Sequence, residues 1–141
     1  MQGIDDYEIL ETLHESANSL VLRARDGAGT ASILKVLKKD YPSPVELTRY
    51  RQEFEITRSL RGEHVIAAHE LRRHQNTLIM ALEDFGGESL ARLVQRRRLG
   101  VREVLDVAVP LVRALAEVHA QAVVHKDVNP SNVVWNPESE I

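Results

Sequence analysis

His125-Lys126-Asp127-Val128-Asn129-Pro130-Ser131-Asn132 is the stretch on which the fold of this chain turns. An aspartate and an asparagine stand five positions apart around a proline, just after a long run of apolar residues at helical spacing. Taken alone, these eight residues describe a loop with an Asn cap and a turn-forming proline. What lies upstream decides whether they are more than that.

Immediately upstream, Leu105, Ala108, Leu111, Val112, Leu115 and Val118 recur at helical spacing and predict a helix over 102–122. Pro110 sits inside it. An interior proline removes a hydrogen bond and costs roughly 3 kcal/mol, so a kink or break is expected there. Residues 88–99 predict a shorter helix, with Leu90, Leu93 and Val94 inward and Arg96-Arg97-Arg98 a solvated face. Gly86-Gly87 separates these helices from what precedes them. Val123-Val124 and Val133-Val134-Trp135 are short β-like runs on either side of the opening stretch.

The first half of the chain reads differently. Residues 7–13, 20–24 and 31–37 are short apolar-rich runs separated by the polar turns His14-Glu15-Ser16-Ala17-Asn18-Ser19 and Asp26-Gly27-Ala28-Gly29. Three strands joined by turns argue for an antiparallel meander, with Ile33, Lys35 and Leu37 on one face of the third. Ser43-Pro44-Val45-Glu46 then opens a helix: Ser at the N-cap, Pro at the first helical position and Glu three residues after the cap. It is expected to reach about Arg61, where Gly62 stops it, with Leu47, Tyr50, Phe54 and Thr57 along one face. Residues 67–72 and 77–83 predict two further strands about the turn His74-Gln75-Asn76.

Composition narrows the class. The chain has 141 residues, 43% apolar and 28% charged, enough apolar material for a core. A formal charge of −3 gives no reason to expect a nucleic-acid partner. With no cysteine, disulfides and thiolate metal sites are excluded. No His/carboxylate grouping has metal-ligand spacing, and the longest apolar run, 107–112, contains Pro110 and is too short for membrane insertion. The acidic start, Met1-Gln2-Gly3-Ile4-Asp5-Asp6, lacks the apolar segment of a signal peptide, so a cytoplasmic location is expected.

Three strands, a helix, two strands, a Gly-Gly break, two helices and then His-x-Asp-x-x-x-x-Asn follow an order that resembles the N-terminal part of a eukaryotic-type serine/threonine protein kinase domain. The resemblance covers nearly the whole chain. It implies an α+β, protein-kinase-like fold: an antiparallel five-stranded N-lobe sheet with one helix, then the first helices of a truncated C-lobe. The N-lobe would be residues 1–85 with the hinge at its end, and the start of the C-lobe residues 86–141 through the catalytic loop.

The same resemblance assigns roles. Asp127 would accept or orient the substrate hydroxyl's proton, and Asn132 would bind Mg²⁺, since phosphoryl transfer needs a carboxylate aimed at the nucleophile and a hard oxygen ligand. His125 and His119 would be structural. Ser32-Ile33-Leu34-Lys35 resembles the strand that ends in the lysine pairing the α/β-phosphates of ATP. Its partner would be Glu53 or Glu55. These lie about 200° apart on a helix, so only one can face the sheet. Glu53 shares its face with Ile56, Thr57 and Leu60 and is the expected partner. Leu13 and Val21 would flank the nucleotide, Ile33 would lie against adenine, and Leu82, Glu83 and Phe85 would form the back-pocket guard and the hinge. ATP and Mg²⁺ are the implied cofactors, and a protein substrate the implied partner.

Several positions depart from the family pattern. His14, Ser16 and Ser19 stand where it has three glycines, and a residue with a Cβ forced to positive φ costs about 1–2 kcal/mol. Lys126 replaces an Arg whose bidentate contacts a lysine cannot make. Asn129 replaces a Lys that touches the transferred phosphate, and Ile33 replaces a smaller residue. The second metal-binding Asp, in Asp-Phe-Gly, is expected soon after Ile141, so the chain reads as an N-terminal fragment, inactive alone. These departures keep two other readings open: a pseudokinase-type regulatory or interaction module, and a small-molecule kinase of the aminoglycoside or choline type. The hinge and catalytic-loop wording is also similar to bacterial kinase-like domains that lead large signal-transduction proteins, ahead of sensor and histidine-kinase modules.

Overall fold

The computed structural model describes residues 4, 6–123 and 133–136; Asp127, Asn132 and the rest of the opening stretch lie outside the described residues. The chain divides into two units, one made of Met1–Ser59 with Ile66–Asp84, the other of Leu60–Val65 with Phe85–Ile141.

The first unit is built on five antiparallel strands: β1 (Tyr7–Glu15), β2 (Ser19–Asp26), β3 (Ala31–Leu37), β4 (Ala68–His74) and β5 (Thr77–Glu83). Their order in the sheet is β1-β2-β3-β5-β4, with helix α1 (Pro44–Ser59) between β3 and β4 in sequence. The expected meander and the expected five-stranded sheet are both present. Local chemistry closes the β2–β3 turn. Asp26 Oδ1 accepts from the amides of Ala28 and Thr30, both at 2.9 Å, and Gly29 takes φ +84°, a conformation glycine adopts freely.

Two apolar clusters sandwich the sheet. Leu22, Ala24, Leu34, Ile79 and Ala81 are buried on one face together with Ile4. On the other, Tyr50 and Phe54 of α1 cover Leu78 and Met80. Covering both faces explains why Leu78, Ile79, Met80 and Ala81 are buried in succession rather than alternately. The start of α1 follows its sequence signature: the Ser43 amide donates to Glu46 Oε2 at 2.8 Å, and the Glu46 amide donates to Ser43 Oγ at 3.2 Å. The helix stops at Ser59, two residues before Arg61.

The second unit departs further from the expected elements. Residues 88–99 are not one helix. Glu88–Ser89 form a short strand, β6, and helix α2 covers Leu90–Arg96. Ser89 is the cause: its hydroxyl accepts from the Arg92 amide and caps the helix, a role serine fills better than a helix interior. Leu93 is buried, but Val94 points outward and is exposed. Helix α3 (Val101–Ala120) runs through Pro110 without a break, because one lost amide donor leaves the rest of a long helix in place. Its buried residues are Val107 and Val118. Leu105 and Val112, expected inward, are exposed, the latter by 65%. Strand β7 (Val134–Trp135) pairs antiparallel with β6.

The end of α3 closes without a glycine. The Val123 amide donates to Val118 O at 3.3 Å and the Ala122 amide to His119 O at 3.0 Å. These are the two bonds of a Schellman motif, with Ala122 in the left-handed position at φ +60°. Gln121 then clasps the segment before β4: its Oε1 accepts from the Arg61 amide at 2.8 Å and its Nε2 donates to Arg61 O at 2.7 Å.

Candidate functional site

Lys35 stands at the centre of the face that α1 covers. In the ladders it lies opposite Val21 of β2 and Met80 of β5, while Ile33 lies opposite Leu82. Residues directly opposite in antiparallel strands share a face, as do residues two apart. Val21, Ile33, Lys35 and Leu82 therefore stand together on one side of the sheet.

The helix holds Lys35 at two atoms. The ammonium pairs with the Glu53 carboxylate, and the Tyr50 hydroxyl donates to the Lys35 carbonyl. Tyr50 and Glu53 are three residues apart on α1, so they emerge from one face. Glu55, on the other side of the helix, is exposed. Burial pushes the Tyr50 phenol above its ordinary range, and the Glu53 charge adds to the rise. The lysine and glutamate side chains remain 31% and 47% exposed, so the ion pair contributes little to stability and acts chiefly to orient the ammonium.

The turn between β1 and β2 is closed by its own side chains. The Ser16 amide donates to Ser19 O at 2.8 Å, and the Ser19 amide donates to Ser16 Oγ at 3.1 Å. The Lys38 amide donates to Asn18 O at 2.9 Å, and its ammonium pairs with Glu15, holding that carboxyl below its ordinary value. None of His14, Ser16 or Ser19 has positive φ. The strain expected from replacing three glycines is thus absent, because the hairpin closes through hydroxyl and carbonyl acceptors. Leu13 falls where the β1–β2 register shifts, between Thr12 and His14, an irregularity that re-aims side chains.

The end of β5 is tied down from two directions. The Glu83 amide donates to Ala67 O at 2.9 Å. Asp84, with a side chain only 6% exposed, accepts from Arg23 Nε at 2.9 Å. Arg23 also donates to Glu11 at 3.1 Å. In the second unit, Asn136 Nδ2 donates to Phe85 O at 2.8 Å. Sequence reasoning missed Tyr50, Arg23 and Asp84 as supports in the first unit, and Asn136 as the partner of Phe85 in the second. The one available signal was an arginine in the middle of an apolar strand; the partner it meets depends on sheet register.

Among the described residues no three His, Asp or Glu side chains group as ligands for a metal ion. The residue assigned to Mg²⁺, Asn132, and the assigned base, Asp127, lie outside them. The nucleotide side of the assignment fits what is present: a lysine ammonium fixed on a sheet face yet still partly open to solvent can meet phosphate oxygens.

The five-stranded antiparallel sheet with its one covering helix has the architecture of a protein-kinase N-lobe. The chain belongs to the protein kinase domain family, which matches residues 7–141. It is 29% identical over 137 residues to human NUAK family SNF1-like kinase 2, covering 96% of this chain and 22% of that protein. It is 30% identical over 135 residues to Sucrose non-fermenting protein kinase 1 of Fusarium virguliforme, covering 94% of this chain and 19% of that one. Serine/threonine-protein kinase TIO of Arabidopsis thaliana is 26% identical over 133 residues, 94% of this chain and 10% of its own length. The chain thus spans about a fifth or less of the curated relatives it matches. No helix among the described residues is long and apolar enough to cross a membrane.

Proposed function

We propose that this chain carries the nucleotide-binding part of an ATP-dependent protein serine/threonine kinase, transferring the γ-phosphoryl group of ATP to a protein hydroxyl. The observation that carries the reading is the Lys35–Glu53 pair on the face shared with Val21, Ile33 and Leu82. Residues 1–85 are read as the small lobe and 86–141 as the start of the large one. Lys35 pairs with phosphate oxygens and Glu53 keeps its ammonium in place. Glu83 and Phe85 offer backbone groups to adenine, with Leu13, Val21, Ile33 and Leu82 around the ring. Asp127 takes or orients the proton of the attacking hydroxyl, whose oxygen bonds to the γ-phosphorus as the bond to the β-phosphate oxygen breaks and ADP leaves. Asn132 would hold Mg²⁺, which when bound neutralises charge on the phosphates. A cytoplasmic, signal-transducing protein of the bacterial sensor type, with further modules, fits the wording of the hinge and loop.

A titration of the protein with Mg-ATP, read by thermal shift, tests the reading in the protein as its gene encodes it. A rise in melting temperature that Lys35→Met abolishes is the expected result. No rise with wild type refutes ATP binding. Phosphotransfer to choline or an aminoglycoside but to no protein favours the small-molecule kinase reading. Binding without transfer to any acceptor favours a pseudokinase-type module, the reading that Asn129 and Ile33 support.

A further inference from the structure

We propose that Arg23 and Asp84 are positioning residues for the adenine half of the nucleotide, strapping the chain that leaves β5 to the middle of β2. The proposal rests on the ATP-binding reading above and adds to it two residues that have no role there.

Arg23 lies opposite Ile33, and Ile33 lies opposite Leu82, so β3 separates β2 from β5. To reach Asp84 the arginine must cross that whole strand, roughly two spacings of 4.8 Å. Ala31 stands one position before Ser32, which pairs with Glu83, and two before Ile33, so it shares the face of Ile33. A methyl side chain there leaves the guanidinium room to pass over the sheet. The strap lies on the face that carries Val21, Ile33 and Lys35. Its far end is desolvated: the Asp84 side chain is 6% exposed against 24% for Arg23. Its near end is steadied by Glu11, which accepts from Nη1 at 3.1 Å.

This pair does something the β-ladder cannot. The Glu83 amide is held by Ala67 from the β4 side, but the ladder between β3 and β5 ends at Ser32↔Glu83. Beyond it, Arg23 supplies a fixed donor from the opposite side. The backbone near Glu83 is what adenine would meet, and hydrogen bonds weaken steeply when donor and acceptor are misaligned. A charge-assisted contact with a planar guanidinium fixes direction as well as distance. A buried ion pair of this kind is a better device for orientation than for net stability.

The test compares three probes: adenosine, Mg-ATP and inorganic tripolyphosphate. Arg23→Gln and Asp84→Asn should each weaken adenosine and Mg-ATP by the same factor, about tenfold, and leave tripolyphosphate unchanged. The charge swap, Arg23→Asp with Asp84→Arg, should recover part of the loss. Lys35→Met should show the opposite pattern, weakening Mg-ATP and sparing adenosine. A purely structural role would lower melting temperature and affect all three probes alike, which overturns the proposal. So does unchanged adenosine affinity in Arg23→Gln and Asp84→Asn beside a wild type that binds. If those variants fail to fold, Arg23→Lys decides: an intermediate adenosine affinity supports the strap and a wild-type value overturns it. A wild type that binds neither adenosine nor Mg-ATP refutes the ATP-binding reading itself, and the strap's role falls with it.

Discussion

Ala122→Gly should make this protein more stable, although glycine is usually the less stabilising residue. Ala122 occupies the left-handed position that ends α3, at φ +60°. An L-residue with a Cβ pays about 1–2 kcal/mol to sit there. Glycine avoids that strain but gives the unfolded chain more freedom, an opposing effect of about 0.4–1 kcal/mol. Ala122 is exposed, so losing its methyl group opens no cavity. The two Schellman bonds, from the Ala122 amide to His119 O and from the Val123 amide to Val118 O, use backbone atoms only and survive the change. The net expectation is a gain of about 0.5–1 kcal/mol, or roughly 2–4 °C in melting temperature for a chain of this size. Thermal unfolding followed by far-UV circular dichroism measures it. Ala122→Asn should gain a smaller amount, since Asn tolerates this conformation better than most residues. Ala122→Val should lose stability, because a β-branched side chain is a true outlier at positive φ. An Ala122→Gly protein that melts at or below the wild-type temperature would refute the strain argument.

Three further outcomes concern Tyr50, Gly87 and the glutamates Glu46 and Glu103. Tyr50→Phe removes the donor to the Lys35 carbonyl and should destabilise by about 1 kcal/mol in urea unfolding. Because the folded phenol titrates above its ordinary 10.0, its share of stability is present below pH 10.0 and is lost as pH rises, so the variant should also flatten the alkaline limb. Gly87→Ala should cost about 1–3 kcal/mol: a Cβ there would lie 2.8 Å from Val134 Cγ1 and 3.0 Å from Trp135 O. Faster hydrogen exchange at the Leu90 amide, which donates to Val133 O, would report the damage, and unchanged exchange would contradict it. Glu46 and Glu103 are both held down to about 2, the first by Lys39 and the Ser43 amide, the second by Arg97 and the Gly100 amide. Their stabilisation is complete above their ordinary 4.5 and fades as pH falls toward 2, so Glu46→Gln and Glu103→Gln should each reduce the acid slope of stability over that window.

The elements that sequence reading located well are those whose signals are local. β5 is bounded by a turn and ends where its apolar run ends, and α1 opens on a reciprocal Ser–Glu cap. That Glu53 rather than Glu55 meets Lys35 follows from helical geometry once Tyr50 and Phe54 set the buried face. What escaped notice depends on distant partners. Strand β6 exists because β7 pairs with it, and no local pattern in Glu88-Ser89 announces that. Gln121 ends α3 without a Gly or Asn signal, so the predicted helix ran on to Ala122. Spacing alone sets the expected inward side of α3: Val118 is buried as expected, but Leu105 and Val112 are exposed, and Val107, outside the expected set, is buried. Arg23 and Asp84 are far apart in the chain, and only the order β1-β2-β3-β5-β4 brings them within reach.

The double hold of α1 on Lys35 has a mechanical consequence. Glu53 grips the tip of the side chain and Tyr50 grips the main chain of the same residue. Any roll of the helix that frees the ammonium must also tug on the middle of β3, so the strand and the amine respond to one lever. Loosening the lysine therefore means disturbing the sheet, and its two neighbours along β3, Leu34 and Val36, belong to the apolar cluster on the far side.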